Sequence, residues 1–144
     1  MVQLRWLSLV GVSVLVLAGC GGDNKREEGD GSGETQAACN GPALATAPKL
    51  PVKFPTFPGV TYTQQAVQGP TQIVEGYYDG NVASAHDEVK SALEGADFTV
   101  LFDELEDHDS EVSWKGQGRS GQVALREECG DSNRTFVHIT NRPQ

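Results

Sequence analysis

The chain has 144 residues, of which 20 are acidic and 11 are basic, giving a formal net charge of −9 at pH 7. This charge excludes a general nucleic-acid binder, because proteins of that class present an excess of Lys and Arg to the phosphates. Hydrophobic residues make up 38 % of the chain and aromatic residues 7 %, too few for a multi-span membrane protein but enough for one modest core. We therefore expect one small folded domain.

The first 19 residues have the three parts of an export signal. Arg5 lies near the amino terminus, an apolar run covers residues 6–18, and small residues precede Cys20. At about 1.5 Å per residue, a helix of that run covers roughly 20 Å, which is short of the roughly 30 Å hydrocarbon core of a bilayer. The pattern predicts a cleaved signal peptide over residues 1–19 and not a transmembrane anchor.

Leu17, Ala18, Gly19 and Cys20 form a lipobox, and here the chain resembles the precursors of bacterial lipoproteins. In that family the signal is cut before the cysteine, which receives a diacylglyceryl group, and the new amino terminus is often acylated. The resemblance implies that Cys20 is lipidated and that the domain is anchored to the cell membrane or outer membrane, outside the cytoplasm. Two or three acyl chains hold a protein that one chain binds only reversibly. The alternative is an ordinary secretory signal followed by an unmodified cysteine.

The segment after the lipobox is polar. Residues 21–38 contain no Val, Ile, Leu, Met or aromatic side chain, so they predict a flexible tether over residues 20–38. The folded domain is then expected over residues 39–144. Its first part is an irregular, extended lead-in with five prolines, namely Pro42, Pro48, Pro51, Pro55 and Pro58. Their spacing also matches P-x-x-P, but packing along the domain is the simpler interpretation.

Alternation of apolar and polar residues predicts strands around residues 61–67 and 71–78, joined by a turn at Gly69-Pro70. One amphipathic helix follows, with Asn81 as its N-cap and Gly95 as its stop. His86 lies beside its apolar stripe, which consists of Val82, Ala85, Val89, Ala92 and Leu93.

Four further strands are expected over residues 98–103, 111–115, 122–127 and 135–140. Each has one apolar face, formed in turn by Phe98, Val100 and Phe102; by Val112 and Trp114; by Val123 and Leu125; and by Val137 and Ile139. His138 alternates with the last pair and should face the opposite side of the sheet. The predicted fold is α+β: an antiparallel sheet of five to six strands with one helix packed on one face, in the order ββαββββ.

Apart from Cys20, the chain contains two cysteines, Cys39 and Cys129. Disulfides form by default in exported proteins. We therefore predict that these two cysteines are paired.

The densest polar feature is an acidic segment over residues 97–111, which contains seven Asp or Glu and no Lys or Arg. Asp107, His108 and Asp109 are adjacent in a predicted turn, and carboxylate and imidazole groups are common ligands of divalent metals. The segment lacks the glycine and the ligand ladder of a calcium-binding loop. A weak metal site and a solvated acidic surface are the two interpretations.

Two other patterns point to ligands. Residues 116–121 match G-x-G-x-x-G, but a strand-like run follows where a dinucleotide-binding motif requires a helix, so a hairpin loop is expected. Tyr77, Tyr78 and Trp114 are candidates for an aromatic platform, although Tyr77 and Tyr78 must point to opposite faces of one strand and core packing suits Trp114.

The residues indicate no catalytic group and no cofactor. The leading hypothesis is a lipid-anchored envelope lipoprotein whose domain is a non-catalytic binding or structural module for an envelope protein or cell-wall component. The alternative is a divalent-cation or small-ligand binding protein that uses the acidic segment over residues 103–111.

Overall fold

The computed structural model describes residues 32–130 and 133–144. These residues form two helices and six strands in the order αββαββββ. The helices are α1 (Ser32–Asn40) and α2 (Val82–Gly95). The strands are β1 (Val60–Gln68), β2 (Thr71–Asp79), β3 (Thr99–Leu105), β4 (Asp109–Gly116), β5 (Arg119–Arg126) and β6 (Arg134–Pro143). Within the described ranges, neither helix has the length and apolar character needed to cross a bilayer.

The six strands form one sheet in the order β1-β2-β6-β5-β4-β3. Every neighbouring pair is antiparallel. The predicted antiparallel sheet of an α+β fold is therefore confirmed. The last strand, β6, is central, whereas β1 and β3 are the two edges.

Two hairpins depend on residues with positive φ. Gly69 has a φ of 57° in the two-residue turn between β1 and β2, and Gln117 and Gly118 have φ of 53° and 74° in the turn between β4 and β5. Two consecutive positive φ values are typical of a type I′ turn, whose twist matches that of the flanking strands. Both predicted turns are confirmed, and the G-x-G-x-x-G segment forms a hairpin.

One side of the sheet carries the main hydrophobic core. The buried stripe of α2 and the lead-in pack on buried residues of β2, β4, β5 and β6. Trp114 is fully buried and lies against Phe54 of the lead-in and Phe98, with ring centroids 4.7 Å and 5.2 Å away. The lead-in is irregular, as predicted, and closes this core from the side through Phe54 and Phe57.

The first turn of α2 is capped as predicted, because the Asn81 side chain accepts a hydrogen bond of 2.9 Å from the backbone N–H of Ser84. The predicted stop at Gly95 is wrong. Gly95 is helical, Ala96 is the C-cap, and Asp97 takes the left-handed conformation with a φ of 60°. The N–H of Phe98 then donates to the carbonyl of Leu93 over 3.0 Å, which closes a Schellman motif.

The predicted apolar face over residues 98–102 is confirmed at Phe98 and Val100 but wrong at Phe102. Val100 pairs with Trp114 on the core side, but the register shifts between Val100 and Phe102, and Phe102 pairs with Ser113 instead. A β-bulge of this kind reverses the alternation beyond it. Phe102 therefore points away from the core and is 51 % exposed.

The first helix was not predicted, because residues 32–38 were assigned to the flexible tether. Residues 32–38 belong to α1, whose Ala38 and Cys39 are fully buried. Small side chains bury enough surface here because the helix is docked on the sheet, and tertiary packing supplies most of the stability of a short helix. The signal peptide, Cys20 and the rest of the predicted tether lie outside the described residues.

Cys39 and Cys129 form the predicted disulfide, with Cα atoms 5.3 Å apart and a separation of 90 positions in sequence. The bond joins the end of α1 to the connection between β5 and β6. It lies in a small second core with Ala38, Phe136 and the partly buried Tyr77.

Candidate functional site

The side of the sheet opposite α2 is the candidate site. Side chains of a strand alternate between its two faces. Val137 and Ile139 face the main core, so His138 points to the other side, as predicted, where it lies opposite Glu75 and Ala124. We call this side the open face; its members are Ile73, Glu75, Glu111, Ser113, Gln122, Ala124, Arg126, His138 and Thr140.

Helix α1 covers one end of the open face. It packs over Phe136 and Tyr77, and the Gln36 side chain donates to the carbonyl of Glu128 over 3.1 Å. Arg134 of β6 also holds α1 on the sheet. Its guanidinium lies 4.0 Å from the centre of the Tyr77 ring and donates to the carbonyl of Cys39 over 3.2 Å. The helix and its disulfide therefore form a fixed wall beside the remaining surface.

At the centre of the open face, Nδ1 of His138 and Oε1 of Glu75 are 2.8 Å apart. The His138 side chain is 33 % exposed and that of Glu75 is 16 % exposed, so both groups remain accessible from solvent. The two residues belong to β6 and β2, which are adjacent central strands. Their positions are therefore set by the sheet ladder and not by a loop.

Two hollows meet at this pair, and Glu75 and His138 line both of them. The first has a volume of about 180 Å³ and extends toward β1, where it is lined by Gln64, Ala66 and Gln68 of β1 and by Ile73 of β2. The second has a volume of about 350 Å³ and extends toward α1 and β4, where Thr35, Glu111, Gln122, Arg126 and Glu128 line it.

A second polar cluster surrounds Glu111 on the floor of the larger hollow. The Gln122 side-chain amide donates to Oε2 of Glu111 over 2.7 Å, and the Arg126 guanidinium lies 3.4 Å from Oε1. Both carboxylate oxygens thus have a donor. With Glu75 and His138, this cluster offers carboxylate, amide, imidazole and guanidinium groups within one surface.

This arrangement suits a polar ligand or a polar protein surface. Glu75 is hydrogen-bonded to His138, and Glu111 accepts from Gln122 and Arg126, so an incoming group exchanges internal hydrogen bonds for new ones. Hydrogen-bonding complementarity is the property that this surface provides.

The three predicted metal ligands lie elsewhere, at the turn between β3 and β4. His108 is directed to Glu127, with Nδ1 2.6 Å from Oε2, and this hydrogen bond, reinforced by the charge of Glu127, raises the pKa of His108. Residues 32–130 and 133–144 contain no group of three or more His, Cys, Asp or Glu side chains placed to hold a metal ion. Asp107, His108 and Asp109 are therefore neighbours in sequence without forming such a group.

A buried Ser-His pair was not anticipated. Nδ1 of His86 on α2 and Oγ of Ser110 on β4 are 2.7 Å apart. Ser110 is only 1 % exposed, so its hydroxyl is closed to a substrate, and the pair serves to satisfy two polar groups between helix and sheet. His86 was expected at the boundary of the apolar stripe. Its position one helical turn after Val82 and before Val89 is the signal that places it inside.

The aromatic platform does not form. Trp114 is fully buried in the main core, Tyr77 lies beneath α1, and Tyr78 packs against the main core. The expectation of core packing for Trp114 is confirmed.

No protein-family model matches this chain, and none of the curated proteins is significantly similar to it.

Proposed function

We propose that the protein is a lipid-anchored lipoprotein of the cell envelope whose domain is a non-catalytic binding module. In this proposal Cys20 carries the anchor and the open face receives an envelope protein or a cell-wall component. The observation that carries it is the open face itself, a sheet surface where hydrogen-bonding side chains gather around two adjoining hollows.

The lipobox and the disulfide both support a position outside the cytoplasm. The lipobox at residues 17–20 implies delivery to the outer side of a membrane, and the Cys39–Cys129 pairing suits an oxidising compartment. Only 11 residues separate Cys20 from the start of α1 at Ser32. Because α1 is docked beside the open face, the binding surface would be held close to the anchor.

The anchor is tested with Cys20→Ser in the full chain expressed in a bacterial host. We expect the variant to be released from membranes or to retain its signal, while the parent is found in membranes with a mass that includes acyl groups. Mass spectrometry and fractionation provide the measurement. Normal cleavage with unchanged membrane retention of the variant would contradict the lipid assignment.

The binding surface is tested by placing a photo-reactive amino acid at Ala66, an exposed residue that lines the smaller hollow. Ser91, on the exposed side of α2, is the matched control position. In intact cells we expect position 66 to cross-link one partner reproducibly. Position 91 should not cross-link that partner. Identical patterns from both positions would show that the open face is not the binding surface.

A further inference from the structure

Edge strand β3 differs from the rest of the described surface in its apolar exposure. Four large hydrophobic side chains are exposed in the described part of the chain, and three of them, Leu101, Phe102 and Leu105, belong to this strand. They are 56 %, 51 % and 48 % exposed, respectively. The register places Phe102, opposite Ser113, on the side of the open face and Leu105, opposite Ser110, on the side of α2. Exposed large apolar side chains are thus concentrated along one edge strand, as is typical of interaction sites.

The backbone of β3 is also available for pairing. Within the described residues it is bonded on one side to β4 and forms the end of the sheet. The opposite edge is partly covered, because the N–H of Leu44 donates to the carbonyl of Tyr62 in β1 over 2.8 Å. Natural edge strands are commonly protected by Lys, Pro, other charged side chains or a bulge. β3, with the sequence TVLFDEL, has no Lys or Pro, and its protection consists of one bulge and two acidic residues.

The acidic side chains of this edge favour a positively charged partner. Glu104 lies directly opposite Glu111 in the sheet, and like charges in that position repel. Glu111 has donors in Gln122 and Arg126, and Asp103 is paired with Lys90 of α2. A cation placed beside Glu104 would therefore relieve an existing repulsion.

The bulge defines the length and the face of the available strand. Beyond it, residues 102–105 pair regularly with β4. Phe102 and Glu104 point to the side of the open face, since they lie opposite Ser113 and Glu111. An added strand would thus need an apolar residue beside Phe102 and, two positions along, a Lys or Arg beside Glu104.

We infer that β3 binds an extended basic segment of another protein by strand addition, with alternating apolar and cationic side chains along one face of that segment. A second copy of this chain fits poorly, because two β3 strands side by side would bring acidic side chains of both copies together. The inference concerns the edge strand beside the open face, and it does not depend on the anchor.

The test uses the full chain, purified in a neutral detergent, and a fluorescent peptide in which Val and Lys alternate at every second position with Ser between them, so that both lie on one face of the extended strand. Two comparison peptides have the same composition in separate Lys and Val blocks, or Glu in place of Lys. We expect only the alternating Lys peptide to bind and to slow amide hydrogen exchange in β3. Binding without protection of β3, equal binding of the block peptide, or no binding would each overturn the inference.

Two variants locate the contact. Glu104→Lys should weaken binding by at least about tenfold, and Phe102→Ser by about tenfold, since one removes the charge complement and the other the apolar contact. Val67→Ser is the matched control, because Val67 is 66 % exposed on the opposite edge strand. Strand addition of a basic partner would be contradicted if Glu104→Lys and Phe102→Ser left the affinity unchanged, or if Val67→Ser lowered it equally. It would also be contradicted if the free chain formed a dimer that Glu104→Lys abolished.

Discussion

The two faces of the sheet are built from the same strands but differ in the interactions that their side chains make. The core face is closed by α2 and the lead-in, and its largest side chain, Trp114, is fully buried among aromatic rings. The open face is lined by half-buried polar side chains that pair with one another, and α1 covers one end of it. Burial of apolar area contributes much more to stability than accessible ion pairs do. The fold therefore depends on one face, which leaves the other free to bind.

The largest effect is expected for Trp114→Ala. Removing the ring leaves a cavity between Phe54 and Phe98, and truncation of a buried Trp costs about 3–5 kcal/mol of unfolding free energy. Chemical denaturation measures it. Phe102→Ala is the control, since that ring projects on the other side and its loss should cost less than about 0.5 kcal/mol. Similar losses of unfolding free energy in both variants would show that the two faces contribute equally to stability.

The next effect is expected for the double variant Cys39→Ala, Cys129→Ala. Closing a chain of this length stabilises by about 4.5 kcal/mol in the chain-entropy model, and measured values are usually about 2–4 kcal/mol. We expect a loss in that range, with faster amide exchange in α1 than in β6, because the disulfide holds the helix over the open face. The reduced parent protein should behave alike. Unchanged exchange in α1 would show that packing alone holds the helix.

A smaller effect is expected at the centre of the open face. Glu75 and His138 are partly exposed, so their coupling energy should be only about 0.2–1 kcal/mol. A double-mutant cycle with Glu75→Gln and His138→Gln measures it at fixed pH. A coupling above about 2 kcal/mol would mean that the open face supports the fold as strongly as the core face does.

The smallest effect lies outside both faces, at His108. Because Glu127 raises the pKa of His108, the contribution of this pair to stability is complete below the ordinary imidazole pKa of about 6.5 and disappears as pH rises through the raised value. We expect Glu127→Gln to lower the pKa of His108, as measured by NMR titration. Glu106→Gln, in the same turn, should leave it nearly unchanged. A pKa that does not respond to Glu127→Gln would contradict the assigned cause.

Local signals predicted the elements that depend on neighbouring residues. The turn at Gly69-Pro70, the Asn81 cap and the hairpin over residues 116–121 follow from backbone preferences within a few positions. The bulge after Val100 does not, because it depends on how β3 meets β4. Helix α1 was missed for a similar reason: its stability comes from a sheet and a disulfide partner that are distant in sequence.

The candidate site was predictable only in part. Alternation around His138 placed it opposite the core, as the structure has it. Its partner Glu75 is 63 residues away, and their contact depends on the pairing of β2 with β6, which no local pattern specifies. The metal site was predicted in the acidic turn because Asp107, His108 and Asp109 are adjacent in sequence. Adjacent residues of a turn need not direct their side chains to one point.

The central position of β6 determines when this molecule can be completed. The β1–β2 hairpin and the β3–β5 meander share no ladder until residues 134–143 are inserted between them. At a synthesis rate of about 5–20 residues per second, the first hairpin waits several seconds for that closing strand. During this interval neither part of the sheet has its central neighbour, and a truncated product is left as two incomplete sheets whose edges are exposed to proteases.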